Sequence, residues 1–190
     1  MIRAPAEAER STRSVAGRIN KIMKQKEEII KEFERIRDIP YSIALSPEEQ
    51  SNDCLGKSIM LFEIFRDYGY EVRYRVCKIK WSTLNLPDEI TSLPHNDECS
   101  HAYLEVKIGG FWKIIDPTWD KGLGKIFHIN EWDGESDNEI AIPCLECLSP
   151  EDSANHVKNI TTREAIIADL NESGQFYNAL NNWLENCRNI

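Results

Sequence analysis

The stretch from His101 to Asp120, HAYLEVKIGGFWKIIDPTWD, does most to limit what this chain can become. Alternating residues run into Gly109-Gly110 and out again, which is the signature of a β-hairpin closed by a two-residue turn. Such a turn fixes the register. Ile108 pairs with Phe111, Lys107 with Trp112 and Glu105 with Ile114. Continued outward, the same register sets Tyr103 opposite Asp116 and His101 opposite Thr118. Side chains alternate across a strand, so Ala102, Leu104, Val106, Ile108, Phe111 and Ile115 form the apolar face. His101, Tyr103, Glu105, Lys107, Trp112, Ile114 and Asp116 share the other. His101 and Asp116 are diagonal neighbours there, within reach of a histidine–carboxylate hydrogen bond.

A histidine oriented by a carboxylate is useful to a nucleophile. The nucleophile this sequence offers is Cys54, which follows the polar loop SPEEQSND and opens the apolar run LGKSIMLFEIF. A helix starting at Cys54 would set backbone N–H groups and the positive end of the helix dipole at the sulfur. Cys54 is thus the candidate nucleophile, His101 the base and then the acid, and Asp116 the orienting group. Asp53 reads as the helix N-cap.

These motifs together resemble the transglutaminase-like superfamily, part of the papain-like class of cysteine enzymes. The resemblance rests on DCLGKSIMLFEIFRDYGYEVRYR, HAYLEV and WKIIDPTWD in that order, over about residues 50–133. It implies a Cys-His-Asp triad at Cys54, His101 and Asp116, and a Cys-bearing helix packed on an antiparallel sheet. Many relatives carry glycine two residues before the cysteine, where this chain has Asn52. The papain-like class often adds a side-chain amide for the oxyanion, and Gln50 and Asn52 are the local candidates. Trp81, Tyr103, Trp112 and Trp119 are candidates to line a substrate cleft.

The rest of the chain frames this core. Val15, Ile19, Ile22, Met23, Ile29, Ile30, Phe33 and Ile36 recur at helical spacing, giving an amphipathic helix over residues 14–37 that Asp38-Ile39-Pro40 ends. Residues 54–67 read as a helix apolar on nearly all sides, hence buried, with a stop at Gly69. Residues 71–81 read as a strand whose apolar phase flips at 76–77, through a bulge or through burial of both faces. Residues 82–100 read as a polar loop, and the chain beyond Trp119 as irregular to about residue 160. Two helices follow, 162–170 and 175–187, broken near Gly174. The expected class is α+β, with helices at both termini and a transglutaminase-like or papain-like centre. The expected organisation is an N-terminal helical segment (1–45), a catalytic core (46–133), and an acidic loop with C-terminal helices (134–190) packed into the same domain.

A formal net charge of −9 argues against nucleic acid or an anionic membrane as partner. Residues 130–152 hold eight acids and no base, which reads as a solvated loop. No apolar run is long enough to span a bilayer and no signal peptide is visible, so a cytoplasmic location is expected. Six cysteines in such a compartment are expected to be free thiols. Cys144-x-x-Cys147, with His95 and Cys99 as a possible other half, has zinc-site spacing, but Pro143, Leu145 and Leu148 read equally well as a packed turn. No metal or cofactor is expected. The leading expectation is a cysteine-dependent amide-bond enzyme that forms an acyl-enzyme on a peptide or protein substrate and hydrolyses it. The rivals are acyl transfer to an amine, which cross-links proteins, and a non-catalytic peptide-binding module. The oligomeric state is left open.

Overall fold

The structure is a computed structural model that describes residues 6–189; the side chains of Val15 and Ile19 lie outside the described residues. It is an α+β arrangement: α1 (Ala6–Arg37), α2 (Cys54–Asp67), β1 (Val72–Lys80), α3 (Asp88–Thr91), β2 (Glu98–Ile108), β3 (Phe111–Ile115), β4 (Glu146–Cys147), α4 (Pro150–Ile160) and α5 (Arg163–Arg188). The four strands form one sheet in the order β3-β2-β1-β4, with every neighbouring pair antiparallel.

The Gly109-Gly110 turn sets the hairpin register read from sequence. Ile108 faces Phe111, Lys107 faces Trp112, and Glu105 faces Ile114. Both glycines have positive φ, +58° and +90°, which a two-residue hairpin turn of this kind requires. The ladder stops at Leu104–Ile115, and the chain leaves the sheet at Asp116. Phe111, expected on the core face, is 73% exposed at the hairpin tip.

β1 has no bulge. Its pairing with β2 runs unbroken from Val72–Val106 to Lys80–Glu98. The phase flip at 76–77 is instead a change in which face is covered. Val72, Tyr74 and Val76 pack in the clusters beneath α1, α2 and α4, whereas Cys77 and Ile79 join a second core on the opposite face with Tyr41, Trp119 and the α5 residues Phe176 and Leu180.

Helix α1 buries Ile29, Phe33 and Ile36 against Leu61 and Phe65 of α2 and against Leu104, Val106 and Ile115 of the sheet. Ile22 and Met23, expected on the same stripe, are exposed. The lengths explain this: α1 has 32 residues and α2 has 14, about 48 and 21 Å at 1.5 Å per residue. The first half of α1 extends past its partner.

Helix α2 is capped by Asp53, whose carboxylate accepts the Gly56 N–H at 2.8 Å, and it is closed by Gly69 at φ +83°. It is not buried all round. Ile59 is exposed, while the buried face includes Lys57 and Ser58 beside Leu61 and Phe65. The Lys57 ammonium donates to the carbonyls of Arg37 and Thr118 at 2.8 and 2.9 Å. It therefore caps the C-terminal end of α1 from inside the core, where a cation is favoured.

Three further elements depart from expectation. The 82–100 loop contains the short helix α3 and gives its last residues to β2. Residues 150–160 are helical: Ser149 caps α4 through the Asp152 N–H, Pro150 opens it, and Ser153 and Val157 are buried. Residues 163–188 form one helix, with Gly174 inside it. A mid-helix glycine costs only about 1 kcal/mol relative to alanine, and burial of Ser173, Phe176 and Tyr177 on either side of it outweighs that.

A Cβ at Gly174 would meet nothing within 4 Å. Gly174→Ala should therefore stabilise the fold by about 0.5–1 kcal/mol, read as a raised midpoint in urea with an unchanged m-value. A lowered midpoint would show that α5 needs its glycine.

Candidate active site

Cys54 is the first residue of α2 and lies on the wall of a cleft of about 1040 Å³. Asp53 puts the first turn in place, and residue 56 must be glycine for the preceding loop to pass over it. A Cβ there would stand 1.9 Å from the Ser51 carbonyl oxygen, a backbone atom that cannot swing away. Burial pushes the Asp53 carboxyl above its ordinary pKa, against the amides of Gly56 and Leu55 and the charge of His101, which favour the anion.

His101 and Asp116 are both 0% exposed. Nε2 of His101 donates to Asp116 Oδ2 at 2.7 Å. The same oxygen accepts the Ala141 N–H at 2.8 Å, and Oδ1 accepts the Thr118 N–H at 3.1 Å and the Thr118 hydroxyl at 2.6 Å. Three donors and an imidazole satisfy this buried carboxylate. Burial alone would raise the Asp116 pKa; the charge and hydrogen bond of His101, with the Thr118 and Ala141 bonds, bring it below the ordinary value instead.

The other ring nitrogen, Nδ1, is buried without a well-formed hydrogen bond. The Cys54 thiol is the remaining group that couples to the ring, by charge and by side-chain hydrogen bonding. Such contacts are commonly loose until substrate tightens them. Burial disfavours the imidazolium, but Asp116 and Cys54 outweigh it and raise the His101 pKa to about 10. Cys54 lines the cleft, whereas His101 does not.

The other sequence candidates divide. Gln50 lines the cleft, its amide 3.5 Å from the Met60 sulfur, whereas Asn52 does not line it. Among the aromatic candidates, Trp81 lines the cleft. Tyr103 is buried with its hydroxyl on the Cys147 sulfur, Trp112 lies under Arg73 with 4.0 Å from guanidinium carbon to ring centroid, and Trp119 stacks on Phe127 at 4.0 Å. Their amphipathic rings were satisfied by core and sheet partners instead. His95 stacks on Phe176 at 4.2 Å and donates from Nδ1 to the Leu93 carbonyl, away from any role beside Cys144 and Cys147. All six cysteines are free thiols.

The acidic stretch contributes what sequence reasoning missed. Asn138 accepts the Asp116 N–H at 3.1 Å, and Asn130 donates to the Asp116 carbonyl at 3.0 Å. Asn130, Trp132, Asn138 and Ile142 are buried, so residues 130–142 brace Asp116 from within while the acids of the stretch stay exposed, as a solvated run would. The usable signal was the pair of asparagines among regularly placed apolar residues, hidden by the count of acids.

The cleft walls carry six carboxylates, on Glu49, Asp53, Glu98, Glu146, Asp169 and Glu172, against one lysine, Lys78. Lys78 is itself paired with Glu146 at 2.6 Å. No helix among the described residues is long and apolar enough to cross a membrane. Comparison with family models, curated proteins and solved structures finds no match for this chain.

The buried pair makes a prediction about pH. The Asp116 pKa is lowered from 3.8, so its contribution is present above about pH 4 and is lost as pH falls through the folded value. The His101 pKa is raised from 6.5 to about 10, so its contribution is complete below 6.5 and is lost as pH rises through 10. Asp116→Asn should thus lower stability by on the order of 3 kcal/mol on a plateau between about pH 4 and 6.5, the gap narrowing on both sides. A gap independent of pH from 3 to 10 would mean that the pair carries no charge.

Proposed function

We propose that this chain is a cysteine-dependent amide-bond enzyme of transglutaminase-like, papain-like architecture, acting in the cytoplasm on peptide or protein substrates and releasing its acyl group to water. The observation that carries the reading is the convergence at the N-terminus of α2. Cys54 faces the cleft, and behind it lies a buried imidazole whose one nitrogen is held at 2.7 Å by Asp116 while the other is left for the thiol.

The chemistry follows from those atoms. His101 Nδ1 takes the Cys54 proton, and the imidazolium is stabilised by Asp116 on Nε2. The thiolate adds to the carbonyl carbon of the bound amide, forming the C–S bond and a tetrahedral oxyanion. The Cys54 backbone N–H at the helix start, with the Gln50 amide on the cleft wall, supplies donors for that oxyanion. Collapse breaks the C–N bond, and His101 returns its proton to the departing amine. Water then attacks the thioester with His101 as base, the C–S bond breaks, and a carboxylic acid and the free thiol remain. Thr118, Ala141, Asn130 and Asn138 act by holding Asp116, and so are positioning residues.

The surplus of carboxylates in the cleft favours substrates with basic or neutral side chains near the scissile bond over acidic ones. The same surplus supports a second reading, acyl transfer to a cationic amine. Asp169 and Glu172 on α5 could attract an ammonium group to the cleft that holds the thioester.

A pool of amide-containing peptides, offered with and without a labelled primary amine, decides between them. Hydrolysed or deamidated products without amine incorporation are expected, with activity reduced at least about a thousandfold by Cys54→Ala or His101→Ala. Dominant Cys54-dependent incorporation would establish transfer. No turnover in either arm, with peptide still bound by Cys54→Ala, would make the chain a binding module.

A further inference from the structure

Outside the proposed active site, the described residues hold one other cluster of nucleophilic groups. Cys144 and Cys147 bring their sulfurs to 3.2 Å of each other at an exposed corner of the sheet. Beneath them is Cys77, fully buried, whose thiol couples to Cys144, and beside them is the Tyr103 hydroxyl, 3.8 Å from the Cys147 sulfur. We propose that Cys144 and Cys147 form a reversible dithiol–disulfide site, oxidised by low-molecular-weight disulfides.

The backbone around the pair is already fixed. Cys147 stands in register with Cys77, and the N–H groups of Leu145 and Leu148 donate to the carbonyls of Lys78 and Val76, each at 2.9 Å. A disulfide needs its sulfurs at about 2.05 Å, so closure requires a small side-chain adjustment with the β4 ladder intact. Both thiols are exposed to a small reagent, while Cys77 is sealed beneath them. The Tyr103 hydroxyl, kept protonated by burial and by its neighbour Cys147, is a donor aimed at the Cys147 sulfur. A Cys147 thiolate would have this hydroxyl as a hydrogen-bond donor beside it.

The exchange balances with no other reactant. The Cys147 thiolate attacks one sulfur of a disulfide R–S–S–R; the new bond joins Cys147 to one half, and the other half leaves as a thiolate. The Cys144 thiolate then attacks the Cys147 sulfur of this mixed disulfide and expels the second half. One S–S bond forms and one breaks, and the two thiol protons go to the two departing thiolates.

The position links the pair to the rest of the molecule. Leu145 and Glu146, the residues between the two cysteines, line the cleft that contains Cys54. Cys147, Cys77 and His101 stand opposite one another on three neighbouring strands, two strand spacings or about 10 Å from end to end. Ring closure therefore stiffens one wall of the cleft, and this holds whether or not Cys54 is catalytic.

The test uses the full chain, treated with chelator and equilibrated over a series of glutathione disulfide to glutathione ratios. Thiols are then trapped by acid and alkylation, and peptides are mapped without reduction. The expected species is a Cys144–Cys147 peptide two hydrogens lighter, formed and reversed by the glutathione ratio, with Cys54 alkylated as before. Cys144→Ser should instead accumulate a stable mixed glutathione disulfide on Cys147, because the resolving thiol is gone. Mixed disulfides that persist in the parent, a bridge from Cys77 to either partner, or thiols that stay reduced at every ratio would each overturn the proposal.

Discussion

Asp116 is a carboxylate taken wholly out of water and answered there by an imidazole, two backbone N–H groups and a hydroxyl. An unpaired charge so placed would be expelled or neutralised; a paired one holds its neighbours to a single geometry. The short segment from Asp116 to Asp120 carries this role to the whole molecule. Asp116 fastens the loop at Ala141 to His101 of β2. The Thr118 carbonyl takes Lys57 of α2, which also holds the end of α1. Asp120 accepts the Tyr41 N–H at 2.8 Å and the Arg188 guanidinium at 2.8 Å, binding the far end of α5. Five residues after the hairpin therefore bring α1, α2, β2 and α5 to one point, and Cys54 stands on the helix they position.

Charge is managed differently on the two sides of that point. In the interior, Lys57 is buried among carbonyls; burial lowers its pKa to about 8, against the charges of Asp120, Asp38 and Asp116, and Arg188 adds to the lowering. On the cleft side the carboxylates of Glu49, Glu98, Asp169 and Glu172 face solvent and hold the potential negative. Asp53 stands between the two regions. Its burial raises its pKa, while the Gly56 and Leu55 amides and the charge of His101 favour its anion, and its side chain caps the helix that starts at Cys54.

The parts of this arrangement set by local chemistry were legible in the sequence. The Gly-Gly turn fixed the register as far as Leu104–Ile115, and His101 and Asp116 meet through their side chains just where the chain leaves the sheet; the Asp53 cap and the Gly69 stop bounded α2. What was not legible depended on tertiary partners. Lys57 and Ser58 are buried because Arg37, Thr118 and Ala102 offer carbonyls to them, which no periodicity reveals. Gly174 signalled a break, but the apolar residues flanking it carried the helix through. Helix α4 buries only Ser153 and Val157, too few for a helical stripe, although Ser149 and Pro150 marked its start. The aromatic residues were misplaced because size and amphipathicity suit a cleft and a core equally; only Trp81 of the four reached the cleft.

The central claim is that Cys54 is set apart from the other five thiols by the groups around it and not by its accessibility. Exposure ranks the thiols the other way: Cys144 and Cys147 are exposed, whereas Cys54 is only partly so. Competitive alkylation of the reduced protein at neutral pH with a limiting, uncharged reagent, quantified at each cysteine, separates the two rankings. The account predicts that Cys54 is modified first, at least about tenfold ahead of Cys144 and Cys147, and that His101→Ala removes the lead while the fold persists. Labelling that follows exposure, or a Cys54 rate unchanged by His101→Ala, would contradict it.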